Sequence, residues 1–566
     1  ATDQALGVAI VFGAPVMTRT STLRHWRPLL GAVVLACLAW PASAQTVQAS
    51  GRSFTVQGLV GVGTLPANLR DEHGETFGSV SGLFADASTW QRTGNSYSGT
   101  FLVSPDRGYN IAGTIDYAPR LNELAVQFTP VSTGSAGHGI GQIQLTLTQA
   151  TRLYESLPDG GQRLFSGLDP VPGGVAAGGA RPATSAWPEL PQASNGKLSL
   201  DAEGVVILRD GSRLVSDEYG PSIYRFSAAG QFMGALPVAS SVRPIRNGVS
   251  DYSSNNPGPG QLAPTPGNPS FGRQNNQGFE GLSLSPDGQT LFVALQSAAR
   301  QDGGTGGTSA TRDHTRLFTY DVSNLDDVQI TGEYVVQLPS FQQGSGTRVA
   351  AQSEILAVSD TELLILPRDS NGFAVGTEQS LLRRVDVIDL DGATNILGSA
   401  DEAIIAPGGV LKDGITPVQY QAWLDINDAA ELARFGLSNG NLPGLRNLSE
   451  KWEGLALLSA QDPDHPDDYF LFVANDNDFA TTDGFHAGEA YADAVDIDTM
   501  FLAYRVTITT PVPEPQAWAL LLAGLGVVAV ARRRARQISP VSPVRASAQV
   551  LGSGTGVSTK LSTPMR

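Results

Sequence analysis

Four glutamates, each followed by two short apolar strands, recur along the middle of the chain and constrain its fold more than any other feature. After each glutamate come an apolar strand, a turn, and a second apolar strand that ends in polar residues. The glutamates are Glu203, Glu280, Glu354 and Glu453, and a weaker copy of the pattern begins at Ser81. Turns such as Asp210-Gly211 are typical of hairpins. Repeated hairpins with long connections predict an all-β chain folded as a β-propeller.

The spacing of the repeats bears on the number of blades. Successive glutamates lie farther apart than the ~40–50 residues of a typical blade. Inserts rich in glycine, serine, asparagine and proline account for the excess at 248–277, 300–312, 341–348 and 370–380. We predict six blades, with seven as the alternative. Apolar residues at helical spacing predict one helical insert over 417–437. Residues 166–195 are predicted to form a loop between the first blade and the blade of Glu203.

The N-terminal region has the order of features of a secretory signal peptide. A basic stretch after Met17 is followed by the apolar run 29–40 and by the small residues Ala42-Ser43-Ala44. We expect a signal peptide over 17–44, cleaved by signal peptidase before Gln45, with residues 1–16 as upstream translated sequence. The alternative is a lipoprotein signal at Cys37, which is the only cysteine. After cleavage before Gln45, the mature chain has no cysteine for a disulfide or a metal site.

The C-terminal region combines three features in a specific order. Val512-Pro513-Glu514-Pro515 precedes an apolar stretch over 517–531, and Arg532-Arg533-Arg534 follows it. This order resembles a PEP-CTERM sorting signal over 512–536. The resemblance implies transient membrane anchoring by a short transmembrane helix, recognition by an exosortase, and delivery to the cell envelope, outer surface or extracellular matrix. An ordinary C-terminal anchor is the alternative. Such signals normally end after the basic cluster, whereas here 537–566 follow as a predicted disordered tail.

Charge restricts the partners of the central part of the chain. The formal net charge is −17, and many basic residues lie in the two terminal segments, so the domain between them, predicted over 45–510, is more acidic still. A surface of this sign repels nucleic acid, which we exclude as a partner. It is compatible with cation binding, although acidic residues also serve solubility.

The repeated glutamates predict a common centre. In a propeller, equivalent repeat positions gather around one axis, so Glu203, Glu280, Glu354 and Glu453 would form a ring of carboxylates, with Asp476 and Asp478 at the end of a partner strand. Converging carboxylates repel each other unless they are protonated or bridged by a cation. Oxygen ligands favour Ca²⁺ over zinc. Arg107, Arg316 and Arg368 are candidate phosphate contacts. Alternatively, each glutamate accepts backbone N–H groups and closes its blade.

Several blocks of sequence resemble the family known as esterase-like activity of phytase. They include 200–204, 215–226, 276–282 and 474–479, of which Ser216-Asp217-Glu218-Tyr219-Gly220-Pro221 is the most specific. The resemblance covers roughly 50–508. It implies a calcium-associated propeller and, from the family name, phosphoester hydrolysis. Metal-assisted hydrolysis would then use Asp217 and Glu218 as acid–base residues, and Arg107 and Arg368 to stabilise charge. Pro367 departs from the glutamate that many relatives carry there.

A non-enzymatic function remains open. The competing hypothesis is a calcium-stabilised binding or scaffold protein of the extracellular matrix, with a matrix polysaccharide rather than a phosphoester as its ligand.

Overall fold

The computed structural model describes residues 45–509, except residue 111 and the segments 304–308, 374–378 and 441–445. The predicted signal peptide, the sorting segment with its transmembrane helix, and the C-terminal tail lie outside the described residues. Within the described part of the chain, no helix combines the length and apolar character that a membrane crossing requires.

Five antiparallel sheets form the blades of the propeller, which we number in chain order of their first strands. Blade one comprises Gly82–Thr93, Ser96–Ser104, Arg120–Phe128 and Ile143–Arg152. Blade two comprises Ala202–Ile207, Arg213–Asp217, Ser222–Phe226 and Phe232–Ala235. Blade three comprises Phe279–Leu284, Thr290–Leu295, His314–Asp321 and Gln329–Gln337. Blade four comprises Ala351–Ala357, Glu362–Arg368, Arg384–Asp389 and Gln419–Asp425.

Blade five closes the ring with both ends of the described chain. It comprises Lys451–Ser459, Asp468–Asp476, Thr499–Ile508, Arg52–Leu65 and Thr46–Ala49. The early strand Arg52–Leu65 pairs antiparallel with Thr499–Ile508. The innermost strands of the five blades adjoin one another in order, and the fifth adjoins the first. Ring closure therefore brings residues hundreds of positions apart to one axis.

Shorter elements lie in the connections. Two-stranded hairpins are Tyr154–Ser156 with Gln162–Leu164, Ala180–Arg181 with Leu190–Pro191, Ile245–Arg246 with Val249–Ser250, Ser340–Gln343 with Gly346–Val349, and Gly484–His486 with Glu489–Tyr491. The α-helices are Gly174–Ala177, Arg300–Gly303 and Ala429–Ala433. The 3-10 turns are Ser240–Val242, Ser309–Thr311 and Pro407–Gly409.

Apolar cores fill the spaces between neighbouring blades. One separate core lies at each of the five blade interfaces. Between blades one and five, for example, the rings of Phe101 and Phe472 meet edge to face with centroids 5.1 Å apart. A strand sandwiched in this way is buried on both faces, which explains why its sequence is apolar almost without alternation.

The prediction of six blades is wrong, because the described residues form five. The five recognised repeats, including the weak copy at Ser81, each supply the first two strands of one blade. The extra length between repeats forms hairpins and loops such as Ser340–Gln343 with Gly346–Val349 rather than a further blade.

The predicted helical insert over 417–437 is also wrong for most of its length. Gln419–Asp425 is the outer strand of blade four, and only Ala429–Ala433 is helical. Trp423 is fully buried in the core between blades four and five, so sheet packing overrides the helical spacing of the sequence. The helix begins after Asp428, whose side chain accepts the N–H groups of Ala430 and Glu431.

The inner strands carry a bulge beside each repeated glutamate. The strand register shifts between Ala202 and Val205, and shifts again at the corresponding points of blades three, four and five. A bulge re-aims a side chain, and here the re-aimed residue is the glutamate. The glycine that follows Glu203 lets the next blade approach, because a Cβ on Gly204 would lie 2.6 Å from Leu282 Cβ.

We expect the substitution Gly204→Ala to destabilise the protein by about 1–3 kcal/mol, because overpacking forces the inner strands apart. Besides Leu282, the new methyl group would lie 2.8 Å from the Glu280 carbonyl oxygen. Thermal unfolding measures the effect. Gly139→Ala is the control, since a Cβ at Gly139 meets nothing within 4 Å. Equal melting temperatures for the two variants would contradict the close packing of blades two and three.

Candidate functional site: an acidic centre on the propeller axis

Three of the four repeated glutamates meet on the axis. Carboxylate oxygens of Glu203, Glu280 and Glu453 all lie within 4.8 Å of one another. They come from blades two, three and five, and their exposed fractions are only 4%, 2% and 1%. The axis beyond them is lined by apolar residues of the inner strands, among them Leu83, Leu282 and Leu356. The carboxylates therefore form a buried acidic centre at one end of a largely apolar channel.

Glu354 does not join this group. Its Oε1 atom accepts the backbone N–H groups of Leu282 at 2.8 Å and Ile355 at 2.9 Å. This is the blade-closing arrangement that the sequence left open as an alternative. Burial raises the pKa of Glu354 well above its usual value.

Asp106 joins the glutamates to a second group of carboxylates. It forms one compact set with Asp201 and Glu203, and another with Asp476 and Asp478. Asp106 and Asp476 are buried, whereas the Asp478 side chain is 56% exposed. The acidic centre therefore extends from the axis to the surface on the side of Asp478.

Lys451 lies among these carboxylates. Its Nζ donates to Asp476 and, at 3.1 Å, to Asp478, and it lies 3.6 Å from Asp106 Oδ2 and 3.8 Å from Glu453 Oε2. Burial opposes its charge, but the surrounding carboxylates hold the pKa of the ammonium well above its usual value. The lysine thus already neutralises part of the Asp106, Asp476 and Asp478 group.

Two predicted arginines also reach the centre. Arg107 Nη1 lies 2.6 Å from Asp201 Oδ2 and also donates to Asn276. Arg368 Nη2 donates to Glu453 Oε1 at 2.6 Å, and its Nε donates to Ser353 Oγ at 2.8 Å. Both arginines are paired with carboxylates of the centre.

Arg316, the third predicted phosphate contact, does not belong to the centre. It is fully buried on the third strand of blade three, where it pairs with Asp302 and Glu333. The structure therefore does not bring Arg316 to the acidic centre, because its partners lie on the short helix Arg300–Gly303 and on the outer strand of blade three.

Asp217 and Glu218 are adjacent in sequence but differ in environment. Asp217 accepts the backbone N–H groups of Asp201 at 3.0 Å, Tyr219 at 3.1 Å and Gly220 at 2.8 Å, so it holds a turn. Burial raises its pKa to about 7. Glu218 is 2% exposed, and its Oε1 atom has no hydrogen-bond partner among the described residues. Its charge acts on Glu280, whose pKa lies well above its usual value mainly because of burial.

Four further carboxylates of the centre, those of Asp106, Asp201, Glu203 and Glu453, have raised pKa values. Burial, with a smaller contribution from the Asp201 charge, raises the pKa of Asp106 to about 7. Burial raises the pKa of Asp201 to about 6 and of Glu453 to about 8. The pKa of Glu203 is well above its usual value because of burial and the neighbouring Glu280.

The three glutamates fit a metal ion. Gln296 Nε2 donates to Glu280 Oε1 and Arg368 holds Glu453 Oε1, whereas the Oε2 atoms of both glutamates are buried without a hydrogen-bond partner among the described residues. Buried oxygens without a donor are costly unless something fills the space between them. One oxygen of Glu280 and one of Glu453 are thus oriented, as in the outer shell of metal sites, and the other oxygen of each is left to a ligand. The acidic centre can therefore hold a cation.

Without bound metal, the protein should lose stability as pH rises. Glu453 has a usual pKa of 4.5 and a folded-state pKa of about 8, so the folded state holds its proton more tightly than the unfolded state does. Stability from this group is full below pH 4.5 and falls as pH rises towards 8, by about 4 kcal/mol. Urea unfolding in a chelator at pH 5.5 and pH 8 measures how much the free energy of unfolding falls between the two pH values. In Glu453→Gln the free energy of unfolding should fall less steeply with pH. An equal dependence on pH would contradict the assignment of the loss to Glu453.

The sequence had pointed only partly to this set of residues. Lys451, Asp201 and Gln296 were not among the residues predicted to meet at the centre. Lys451 had a signal, since it lies only two residues before Glu453 at the start of the same strand. A glycine directly follows Glu203, Glu280 and Glu453 but not Glu354. This difference in sequence distinguishes the three glutamates that meet from the one that does not.

Family comparison decides the relationship of the chain to known proteins. A family model described as "Esterase-like activity of phytase" matches residues 75–479. The chain belongs to this family. It is also 34% identical over 474 residues to a protein of Arthroderma benhamiae named "uncharacterized secreted protein", covering 76% of this chain and 88% of the relative.

Solved propeller structures resemble the chain only distantly. A luciferin-regenerating enzyme matches with 10% identity and a TM-score of 0.26, covering 79% of this chain and 94% of that one. The PQQ-bound aldose sugar dehydrogenase of Streptomyces coelicolor matches with 12% identity and a TM-score of 0.25, covering 82% and 100%. A gluconolactonase of Xanthomonas campestris matches with 11% identity and a TM-score of 0.21, covering 72% and 90%. No functional conclusion follows from scores this low.

The C-terminal segment matches a second family model. The PEP-CTERM protein-sorting motif covers residues 511–536, in agreement with the predicted segment 512–536. The motif implies recognition by an exosortase-type sorting system. This member of the phytase-like family is therefore exported to the cell envelope or extracellular surface.

Proposed function

We propose that this exported propeller is a metal-assisted phosphoester hydrolase whose reaction takes place at the acidic centre. The observation that carries the proposal is the set of buried carboxylate oxygens without hydrogen-bond partners among the described residues. Those at the acidic centre are Asp201 Oδ1, Glu218 Oε1, Glu280 Oε2 and Glu453 Oε2. Titratable groups with strongly shifted pKa values, gathered in one place, are typical of reaction centres. Membership of a family described by esterase-like activity supports the same class of reaction.

Calcium is the proposed cation, and Glu203, Glu280 and Glu453 are the proposed ligands. The candidate ligands are all carboxylate oxygens, the ligand type that Ca²⁺ prefers. Asp476 and Asp478, also predicted as ligands, bond Lys451 instead and in this proposal hold the lysine in place. Glu354, whose Oε1 atom accepts two backbone N–H groups, is assigned a role in the inner strand.

When bound, calcium would neutralise phosphoryl oxygens and lower the pKa of a water molecule. The chain's own residues have three further tasks. Lys451, 19% exposed, is the cation nearest the opening and attracts the phosphate. Arg107 and Arg368 provide guanidinium groups deeper in the centre, where they oppose the charge that develops on the phosphoryl oxygens. Glu218 is the proposed general base, and Asp217 positions it by fixing the following turn.

Hydrolysis assays test this proposal directly. The purified protein should hydrolyse p-nitrophenyl phosphate, bis-p-nitrophenyl phosphate or phytate in Ca²⁺ and lose this activity in a chelator. Glu218→Gln should lower kcat by about 10²-fold or more, the range of general acid–base catalysis, without changing the calcium response of melting. Glu489→Gln, an exposed residue on a hairpin, is the control and should keep full activity. Absence of hydrolysis of all three substrates at saturating Ca²⁺ would refute the proposal.

A second function has one observation in its favour. The three converging glutamates come from three different blades, so a bound cation would tie the inner strands together whether or not any reaction occurs. In that case the protein is a calcium-stabilised binding or scaffold protein, with a matrix polysaccharide as its ligand. Calcium-dependent melting combined with complete inactivity, and binding of an exopolysaccharide, would favour this function over hydrolysis.

A further inference from the structure

The chain leaves the propeller at the end opposite the acidic centre. On blade five, Lys451 pairs with Asp476 at the acidic end, whereas Asp468 pairs with Thr507 at the other end. The last strand, Thr499–Ile508, runs from the acidic end to that far end. We call the side of the propeller on which this strand ends the exit face. The C-terminal sorting segment therefore follows from the exit face.

The connection to the sorting segment is short. Residues 510–516 separate Thr509 from the apolar stretch 517–531, and when fully extended they reach about 25 Å. The strand Lys451–Ser459, which runs from the acidic centre to the exit face, has 9 residues and spans about 30 Å. If the apolar stretch enters a membrane, with its arginines kept on the far side, the connection is too short for the acidic centre to face that membrane. The exit face then lies towards the lipid.

Apolar side chains surround the axis towards the exit face. Phe84, Leu284, Leu356 and Leu457 line the axial channel and are only half-buried. Leu284 is the last residue of its inner strand, and Leu457 follows Glu453 by a full turn of side-chain alternation towards the exit face. We call these apolar side chains the channel mouth. Apolar surface gathered in one place is typical of sites that meet a protein or a membrane.

The turns around the channel mouth determine which lipid fits. The turns between the first two strands of blades two to five, over 208–212, 285–289, 358–361 and 460–467, hold six aspartates and one arginine. Anionic headgroups repel a rim of this charge, whereas zwitterionic headgroups carry no net charge to oppose it. The exit face therefore fits an uncharged lipid surface better than an anionic one.

We propose that the exit face docks on a bilayer of zwitterionic lipid while the sorting segment holds the chain in the membrane, with the channel mouth in contact with the lipid. The short connection keeps the local concentration of lipid high, so a weak contact at the mouth is sufficient. The acidic centre then faces the aqueous side, where its ligands can reach it. This orientation holds whether or not the centre catalyses a reaction.

Energy transfer to labelled lipid tests the orientation. The sequence has no cysteine after Cys37, so the chain from Gln45 to its C-terminus can carry one introduced cysteine with a donor dye. Asp360→Cys places the dye on the exit face, and Glu489→Cys places it on the connection that follows Asp476 at the acidic end. Both changes replace an exposed acidic residue.

In phosphatidylcholine vesicles that contain an acceptor-labelled lipid, transfer from the dye at 360 should exceed transfer from the dye at 489 by about twofold or more, because the height of a blade, about 30 Å, separates the two ends. Equal transfer from the two positions, or larger transfer from 489, would overturn the proposed orientation. Failure of the chain to float with the vesicles would overturn it as well.

The channel mouth and the lipid composition test the docking itself. Leu284→Gln/Leu457→Gln should lower transfer from the dye at 360 by about twofold, since polar groups weaken the contact with lipid, and the protein should still float with the vesicles. Leu262→Gln is the control, because Leu262 is 80% exposed and precedes the acidic end of the inner strand of blade three. It should leave the transfer unchanged.

A change of lipid tests the same contact without altering the mouth, and so covers the case in which the double variant does not fold. Phosphatidylglycerol vesicles at low salt should lower transfer from the dye at 360, because the acidic rim is repelled. Equal transfer in both lipids, or a folded double variant that transfers like the unaltered mouth, would overturn docking on uncharged lipid.

Discussion

Replacing Lys451 by Met is expected to destabilise the calcium-free protein by about 3 kcal/mol at pH 7. Its ammonium contacts carboxylates of Asp106, Glu453, Asp476 and Asp478. Removal leaves all but Glu453, which Arg368 also holds, without their nearest positive charge. Breaking a buried ion pair from one side typically costs 3–5 kcal/mol, and the partial exposure of this lysine places it at the lower end. Urea unfolding in a chelator measures the loss.

Calcium should restore much of the stability of this variant. A cation that binds only the folded state stabilises it by about 2.7 kcal/mol at a hundredfold excess over Kd. Lys197→Met is the control, because Lys197 pairs with a single, 42% exposed Asp116 and such pairs contribute about 0–1 kcal/mol. If Lys451→Met lowered the free energy of unfolding by the same amount with and without Ca²⁺, this would contradict the position of Lys451 within a cation-binding centre.

Replacing Arg120 by Met should cost about 3–5 kcal/mol for a separate reason. Arg120 is fully buried, donates to Asp71 and Glu75, and lies 4.5 Å from the centroid of the Tyr117 ring. Glu75 also accepts the N–H of Ala487 at 2.8 Å, so this ion pair joins the segment before blade one to the hairpin Gly484–His486 with Glu489–Tyr491. Removing the guanidinium leaves the buried carboxylate of Asp71 uncompensated and leaves Glu75 with only the partly exposed Arg152, 3.3 Å away.

The loss of stability in Arg120→Met should not depend on calcium, since Asp71 and Glu75 belong to none of the carboxylate groups at the axis. Guanidinium chloride unfolding at two calcium concentrations measures this. Arg70→Met provides the comparison, because Arg70 and Asp483 are 37% and 69% exposed and their pair should contribute less than about 1 kcal/mol. If Arg120→Met lost as little stability as Arg70→Met, the contribution of the buried ion pairs of Arg120 to stability would be contradicted.

The sequence revealed the propeller because strand, turn and strand recur as local patterns. The copy at Ser81 was recognisable although serine replaces the glutamate, and it proved to be blade one. Blade number could not be read from spacing, because spacing does not separate a blade from an insert. The strand Gln419–Asp425 was mistaken for helix because Trp423 is placed by the neighbouring blade rather than by local propensity.

The acidic centre was only partly predictable, for physical reasons. Ring closure made the meeting of Glu203, Glu280 and Glu453 an expectation, and their oxygens do lie together. Whether a glutamate faces the axis or its own backbone depends on local bulge geometry, and on this point Glu354 differs from the others. Arg316 could not be excluded from sequence, because its partners Asp302 and Glu333 come from a separate helix and strand.

Calcium titration of the metal-free protein by calorimetry at pH 7.5 tests most directly whether the buried glutamates on the axis bind a cation. We predict binding of Ca²⁺ by the unaltered protein and its loss in Glu280→Gln, whose amide replaces a carboxylate of the group but keeps its size. Binding of equal strength by Glu280→Gln, or no binding by the unaltered protein, would contradict the assignment of this centre.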